Sequence, residues 1–171
     1  MPGLMAPHAS CSSSVDSSAC VTELRVEVEE NPDPADARVV GQGLLEFNRR
    51  VLGDPHEKQL AVFVRDPSGR VVGGMVGHVR WSWVYVAKLW LPNELRGHGL
   101  GTRVMRAIED YARGQGCHGI SLDTFEYQAL PFYEKLGFER FGVLEGYPPG
   151  YRQYFLKKTL KPVAPGASEA S

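Results

Sequence analysis

The stretch from Leu60 to Leu91 leaves this chain few ways to fold. Leu60 to Arg65 reads as a strand, Asp66-Pro-Ser-Gly69 as a turn, and Arg70 to Trp81 as the strand that returns beside it. Ser82 permits a second tight turn into Trp83 to Leu91, and Pro92 stops that third strand. Directly behind, Leu100, Val104, Ile108 and Tyr111 recur at helical spacing, with Arg103, Arg106, Asp110 and Arg113 on the opposite face. A three-strand meander that runs into an amphipathic helix belongs neither to a helix bundle nor to a purely parallel sheet.

The remaining segments extend this pattern. Leu24, Val26 and Val28 alternate with Arg25, Glu27 and Glu29, so 22–29 is expected to be a half-buried strand. Asn31-Pro-Asp33-Pro34 breaks the chain and caps a helix with Val40, Leu44, Phe47 and Val51 on one face, ended by Gly53-Asp-Pro55. Gly114 or Gly116 ends the helix that starts near Leu100. A short strand at 120–124, a helix at 129–136 and strands at 138–144 and 151–160 follow, the last two joined by Gly146-Tyr-Pro-Pro-Gly150. The order β-α-β-β-β-α-β-α-β-β predicts an α/β (α+β) fold: a mixed, mostly antiparallel sheet with helices on both faces. The Ser-rich residues 1–20 and residues 162–171 hold too little apolar surface to offset the entropy of ordering, so a single domain is expected over 21–161 with a disordered tail on each side.

Composition narrows the function. A formal net charge of -1 argues against a dedicated nucleic-acid binder. No apolar run approaches the ~20 residues a membrane helix requires, so no membrane partner is expected. Cys11, Cys20 and Cys117 make neither a disulfide framework nor a CxxC metal pair, which points to a reducing cytoplasm and no metal.

The chemistry concentrates in Arg96-Gly97-His98-Gly99-Leu100-Gly101, where a strand has ended and a helix begins. Glycines let a ligand approach the backbone, helix-start N–H groups favour an anion, and Arg96 adds a fixed positive charge: together, a pyrophosphate cradle. The same glycines also suit a turn that merely packs strand against helix. A dinucleotide reading needs G-x-G-x-x-G, whereas this run is G-x-G-x-G, although Asp123, 22 residues past Gly101, imitates the ribose-binding acid. No G-x-x-x-x-G-K-[ST] is present.

This run also fits [Q/R]-x-x-G-x-[G/A], and Phe132-Tyr133-Glu134-Lys135-Leu136-Gly137-Phe138 fits a Y-E-x-x-G-F segment about thirty residues later. With both motifs in that order over roughly residues 22–160, the chain resembles the GNAT acetyltransferases (Gcn5-related N-acetyltransferases). The resemblance implies a splayed cleft for acetyl-CoA, used as co-substrate, and N-acetylation of a primary amine on a small molecule or a peptide. It implies pyrophosphate contacts from Arg96, Gly97, His98, Gly99, Leu100, Gly101 and Thr102, and backbone pairing of the pantetheine arm with Leu89 and Leu91. Arg103 and Arg106 either add phosphate contacts or form a solvated face. Tyr133 matches the tyrosine that protonates the departing thiolate. The strand Val84 to Leu91 has no carboxylate for a base, which leaves Asp123 and Glu126 as candidates and His78 as a weaker one. Glu126 stands where an Asn is often found, which makes an anionic acceptor site plausible. Trp81, Trp83, Glu126 and Tyr147 are expected on the acceptor side, with Trp90, Tyr85, Phe125, Tyr127 and Tyr151 as further walls. A homodimer through edge strands is ordinary for such a fold. A non-catalytic acyl-CoA-binding module and a nicotinamide-dependent oxidoreductase are the alternatives.

Overall fold

A computed structural model of the chain describes residues 24–160. The chain divides into two compact units, one ending at Glu46 and the other beginning at Phe47. In the first unit, residues 24–29 form no strand, and Leu24, Val26 and Val28 are exposed. Alternation encodes a face and not a partner. Without a neighbouring strand to exchange N–H···O bonds, an alternating segment stays irregular, and this corrects the expectation of a strand at 22–29, of which residues 22 and 23 lie outside the described residues. The predicted terminal tails also lie outside them.

Helix α1 runs from Pro34 to Leu52. It starts where its sequence says it should: the Asp33 carboxylate accepts the Ala35 N–H at 2.7 Å, and Pro34 occupies the first turn. Gly53, at φ 76°, ends it.

The second unit is built on six strands: β1 (Lys58–Arg65), β2 (Val71–Arg80), β3 (Trp83–Trp90), β4 (Gly119–Phe125), β5 (Glu139–Glu145) and β6 (Arg152–Thr159). They lie in the order β1-β2-β3-β4-β6-β5. All neighbours are antiparallel except β3 and β4. Asp66 organises the β1–β2 turn by accepting the N–H groups of Ser68 and Arg70 at 2.9 and 3.0 Å. Trp81 and Ser82, at φ 44° and 60°, form the two-residue β2–β3 turn. The parallel β3–β4 pair needs a crossover, which is supplied by helix α2 (Leu100–Gly114). A one-and-a-half-turn helix, α3 (Leu130–Lys135), connects β4 to β5.

The core lies between the sheet and α2. Val104, Met105, Ile108 and Ala112 on the helix meet Met75, Val79, Val84, Val86, Ile120, Leu122 and Leu156 on the sheet. Lys158 on β6 ties α2 down from outside through Glu109 at 2.6 Å, and Arg113 reaches the same carboxylate at 2.8 Å.

One irregularity shapes the molecule. Val76 pairs with Lys88 but Gly77 pairs with Val86, so Ala87 is an extra residue in β3, a β-bulge. Gly77 is required there, because a Cβ at that position would overlap the Tyr85 carbonyl oxygen. The parallel pairing of β3 with β4 ends at Val86 and Leu122, just before the bulge. Both strands continue, β3 to Trp90 and β4 to Phe125, without pairing to each other. The two parallel strands are therefore splayed at their C-terminal ends, beside the start of α2.

Candidate active site

The splay is bordered by the loop Leu91–Gly99, α2, the end of β4 and α3. After β3, a single turn of 3-10 helix spans Asn93–Leu95. Arg96 turns back on the loop, and its Nε–H donates to the Leu91 carbonyl at 2.9 Å. Its first job is thus to staple the loop to the strand end, leaving its terminal guanidinium nitrogens for other contacts. Gly97 and Gly99 sit at φ 76° and 75°, and a Cβ on either would meet nothing within 4 Å. The backbone conformation asks for glycine here, while the space above the loop stays open to a ligand. Gly99 starts α2 with no side-chain cap, and its first turn holds no acidic residue. The N–H groups of that turn are left for an anion, and the helix dipole favours one. His98 is exposed, and Leu100, Gly101 and Thr102 are half-buried in this turn.

Gly101 plays a different part. A Cβ there would lie 3.2 Å from the Phe132 ring and 3.8 Å from a Leu91 methyl. Glycine at 101 makes room for α3. This contact brings the two sequence motifs together, since Phe132 precedes Tyr133.

Tyr133 is buried, its ring at 5.1 Å from Phe132 and 5.9 Å from Phe138. Its hydroxyl makes no hydrogen bond among the described residues. Burial, and then the negative charge of Asp123, push the phenol up to about 12, so it keeps its proton at neutral pH.

Asp123 is the first β4 residue past the last parallel pair. The Tyr85 hydroxyl donates to one carboxylate oxygen at 2.6 Å, and Gln153 Nε2 donates to the other at 2.7 Å. The bond to Asp123, with burial and the charge adding to it, pushes Tyr85 up to about 12. No cation pairs with Asp123 among the described residues, so a fixed anion stands at the mouth of the splay. His78 rests its ring 5.4 Å from that of Tyr85. Sequence reasoning missed Gln153, because nothing in a spacing of 30 residues links it to Asp123.

Other expected site residues fall elsewhere. Glu126 is exposed, and its carboxylate is 3.6 Å from Arg152, which also holds Glu145 at 3.3 Å. Glu126 and Glu145 thus share one guanidinium, two negative charges against one positive. Trp81 and Trp83 lie at the β2–β3 turn, the opposite end of β3 from the splay, roughly 20 Å along the strand. Trp83 instead packs its ring on Gly119, and Arg80 lies 4.3 Å over Trp81. Aromatic type alone suggested an acceptor wall there, and position in the strand corrects it. Tyr147, by contrast, stands at the splay end, 5.8 Å from Phe125. Arg103 and Arg106 are exposed on α2.

An open glycine loop at a free helix start, below two splayed parallel strands, with a protonated tyrosine and an anion beside them, defines a class: enzymes that hold an acyl thioester and pass its acyl group to a nucleophile. The chain belongs to the acetyltransferase (GNAT) family, whose sequence description matches residues 21–138. An acetyltransferase of Agrobacterium fabrum is 33% identical over 129 residues, covering 74% of this chain and 94% of the relative. The blasticidin-S acetyltransferase of Streptomyces morookaense is 38% identical over 101 residues, 58% of this chain and 74% of the relative. The crystal structure of an acetyltransferase from Bacillus cereus superposes with a TM-score of 0.72 at 28% identity, over 78% of this chain and 98% of that one. The protein is an acetyl-CoA-dependent N-acetyltransferase. Among the described residues no helix is long and apolar enough to cross a membrane.

Proposed function

We propose that this enzyme acetylates the primary amine of a small molecule, using Tyr133 as the acid and Asp123 as the anion that receives the amine. The observation that carries this reading is the meeting of Phe132, Gly101 and Leu91, which sets the phosphate loop beside the helix that bears Tyr133. The backbone from Arg96 to Thr102 holds the pyrophosphate, and Leu89 and Leu91 offer the edge of β3, freed beyond Val86, to the pantetheine arm. A bulge-exposed backbone N–H of β3 receives the developing oxyanion.

An ordinary amine with a pKa near 10.4 must lose a proton, at a cost of about 4.6 kcal/mol at pH 7. Asp123 attracts the cationic form and takes the proton, directly or through water. The Tyr133 hydroxyl, protonated and without a competing hydrogen bond, gives its proton to the departing thiolate. Tyr147 forms the rim of the acceptor side.

The sparse cysteines fit a cytoplasmic enzyme, and Cys117 is buried. Phe141, Val143 and Leu144 are exposed on β5, which ends the sheet, and this supports pairing of two copies along that edge. A panel of small amines offered with acetyl-CoA, read by free-thiol release, tests the activity. Thiol release with several small amines is expected; acetylation confined to peptide amines overturns the acceptor reading.

A further inference from the structure

We propose that the acceptor carries a planar aromatic or heteroaromatic ring, which is held by a platform of three mutually tilted rings, Tyr127, Tyr147 and Tyr151, backed by Phe125. The proposal rests on the acetyl-transfer reading above and names the class of acceptor. Phe125 lies on the same face of β4 as Asp123, one strand repeat further out, about 7 Å away. Tyr127 stacks on it with ring centres 5.5 Å apart and planes within 4°. Tyr151 meets Tyr127 edge-on at 5.1 Å, and Tyr147 meets Phe125 at 5.8 Å. Rings from two separate elements, the turn after β4 and the β5–β6 hairpin, thus converge on one spot.

Packing does not explain them. Tyr127, Tyr147 and Tyr151 are 58%, 52% and 47% exposed, so none is a core residue. The segments that carry them are tied by backbone bonds: the Tyr151 N–H donates to the Pro148 carbonyl at 2.9 Å, and the turn that bears Tyr127 is pinned at several points. The Gln128 side-chain oxygen accepts from Thr124 Oγ1 at 3.1 Å and from the Phe125 N–H at 3.0 Å. The Gln128 N–H returns to the Phe125 carbonyl at 2.9 Å, and the Glu126 N–H donates to the Arg152 carbonyl at 2.9 Å. A contiguous, pre-ordered aromatic surface in water marks a binding site.

Charge selects among its occupants. Glu126 and Glu145, next to the rings, share Arg152 and leave one net negative charge there, and Asp123, one repeat inward, has no cationic partner among the described residues. The surplus of negative charge favours a cationic amine, whose flat part meets the rings while Asp123 takes its ammonium.

A matched pair of amines tests this: 2-phenylethylamine and 2-cyclohexylethylamine, equal in tether and carbon count but different in planarity. Their dissociation constants are measured by ligand-observed NMR on the full chain with CoA present, so no turnover is needed. Simple apolar contact favours the saturated ring. Stacking favours the flat one, and we expect about three- to tenfold tighter binding of 2-phenylethylamine. Y127L and Y151L should each erase that preference, and Y127F should keep it. Equal binding of the pair, tighter binding of the saturated amine, or a preference that persists in both Leu variants overturns the proposal. A protein that prefers the flat ring yet releases no thiol with any amine fails the acetyl-transfer reading and keeps the platform, whereas one that acetylates amines without the preference does the reverse.

Discussion

Tyr133 and Glu109 show how differently a polar group is used in this molecule. The Tyr133 ring packs on Phe132, its hydroxyl has no hydrogen-bond partner among the described residues, and its raised pKa keeps it a donor through the neutral range. Y133F keeps the ring and removes the donor. General acid catalysis is typically worth about 10²–10⁴-fold, so rapid-mixing measurements should show the chemical step slowed toward that range, with acetyl-CoA affinity and Tm nearly unchanged; a full rate would make Tyr133 a packing residue. Glu109 is the opposite case. Burial alone would raise its pKa, but the hydrogen bonds from Lys158 and Arg113 outweigh burial and hold it below the ordinary value of 4.5. A carboxylate depressed by folding stabilises the native state above its unfolded pKa, and that contribution is lost as pH falls through the folded one. E109Q should therefore be less stable than wild type at pH 7, with the gap between the two Tm values closing as pH drops below about 4.5. A constant gap would show that the Lys158–Glu109–Arg113 cluster acts through shape alone. At this scale the sequence reveals residue types but not partners. Tyr133 could be read from its motif, while Tyr85 and Gln153, 38 and 30 residues from Asp123, carry no local signal of their role.

At the scale of elements, glycine and one extra residue do most of the shaping. Gly99 at φ 75° opens α2 beneath free space. G99D is chosen because Asp tolerates the left-handed region better than most residues while placing a negative charge beside the phosphate site. Isothermal titration should find acetyl-CoA binding abolished, with circular dichroism unchanged; wild-type affinity in the folded variant removes the loop from the cofactor site. The bulge can be tested as directly. Deleting Ala87 leaves Lys88 to Trp90 on their present partners and faces and removes the bend that the extra residue puts into β3. The strands should re-pair or the fold should lose stability, and in either case acetyl-CoA binding should be lost; retained binding would show that the bulge does not create the splay. Period and turn chemistry made β1, β2, β3 and both helices of the second unit legible beforehand. The bulge was not legible, since an extra residue leaves no trace in hydrophobic alternation until the partner strand is known. The same blindness produced the misreading of 22–29, where a good strand pattern has no partner among the described residues.

At the scale of the whole molecule, the sheet brings residues from distant parts of the chain to one end. β3 and the loop after it border one side of the splay; β4, the turn at Glu126–Gln128 and the β5–β6 hairpin border the other. The opposite end, with Trp81, Ser82 and Trp83, lies far from both, so order along the sequence was a poor guide to which tryptophans matter. Outside the described residues, the Ser-rich segment 1–20 and the Pro/Ala-rich segment 163–171 have little apolar surface to bury. Removing both should leave Tm within a degree or two and acetyl-CoA affinity unchanged; a large loss of stability would show that one of them docks on the folded part. The bulge at Ala87 has a wider consequence. Because the cleft arises from the number of residues in β3 and from backbone groups, the side chains along its rim are under little obligation to the acetyl donor. On the proposed reading, acceptor preference is written on other segments, the Glu126–Gln128 turn and the hairpin beyond β5, which can be rewritten without disturbing the donor site. A protein built this way can exchange one acceptor for another by changing a handful of exposed residues, while the machinery that carries the acetyl group is inherited intact.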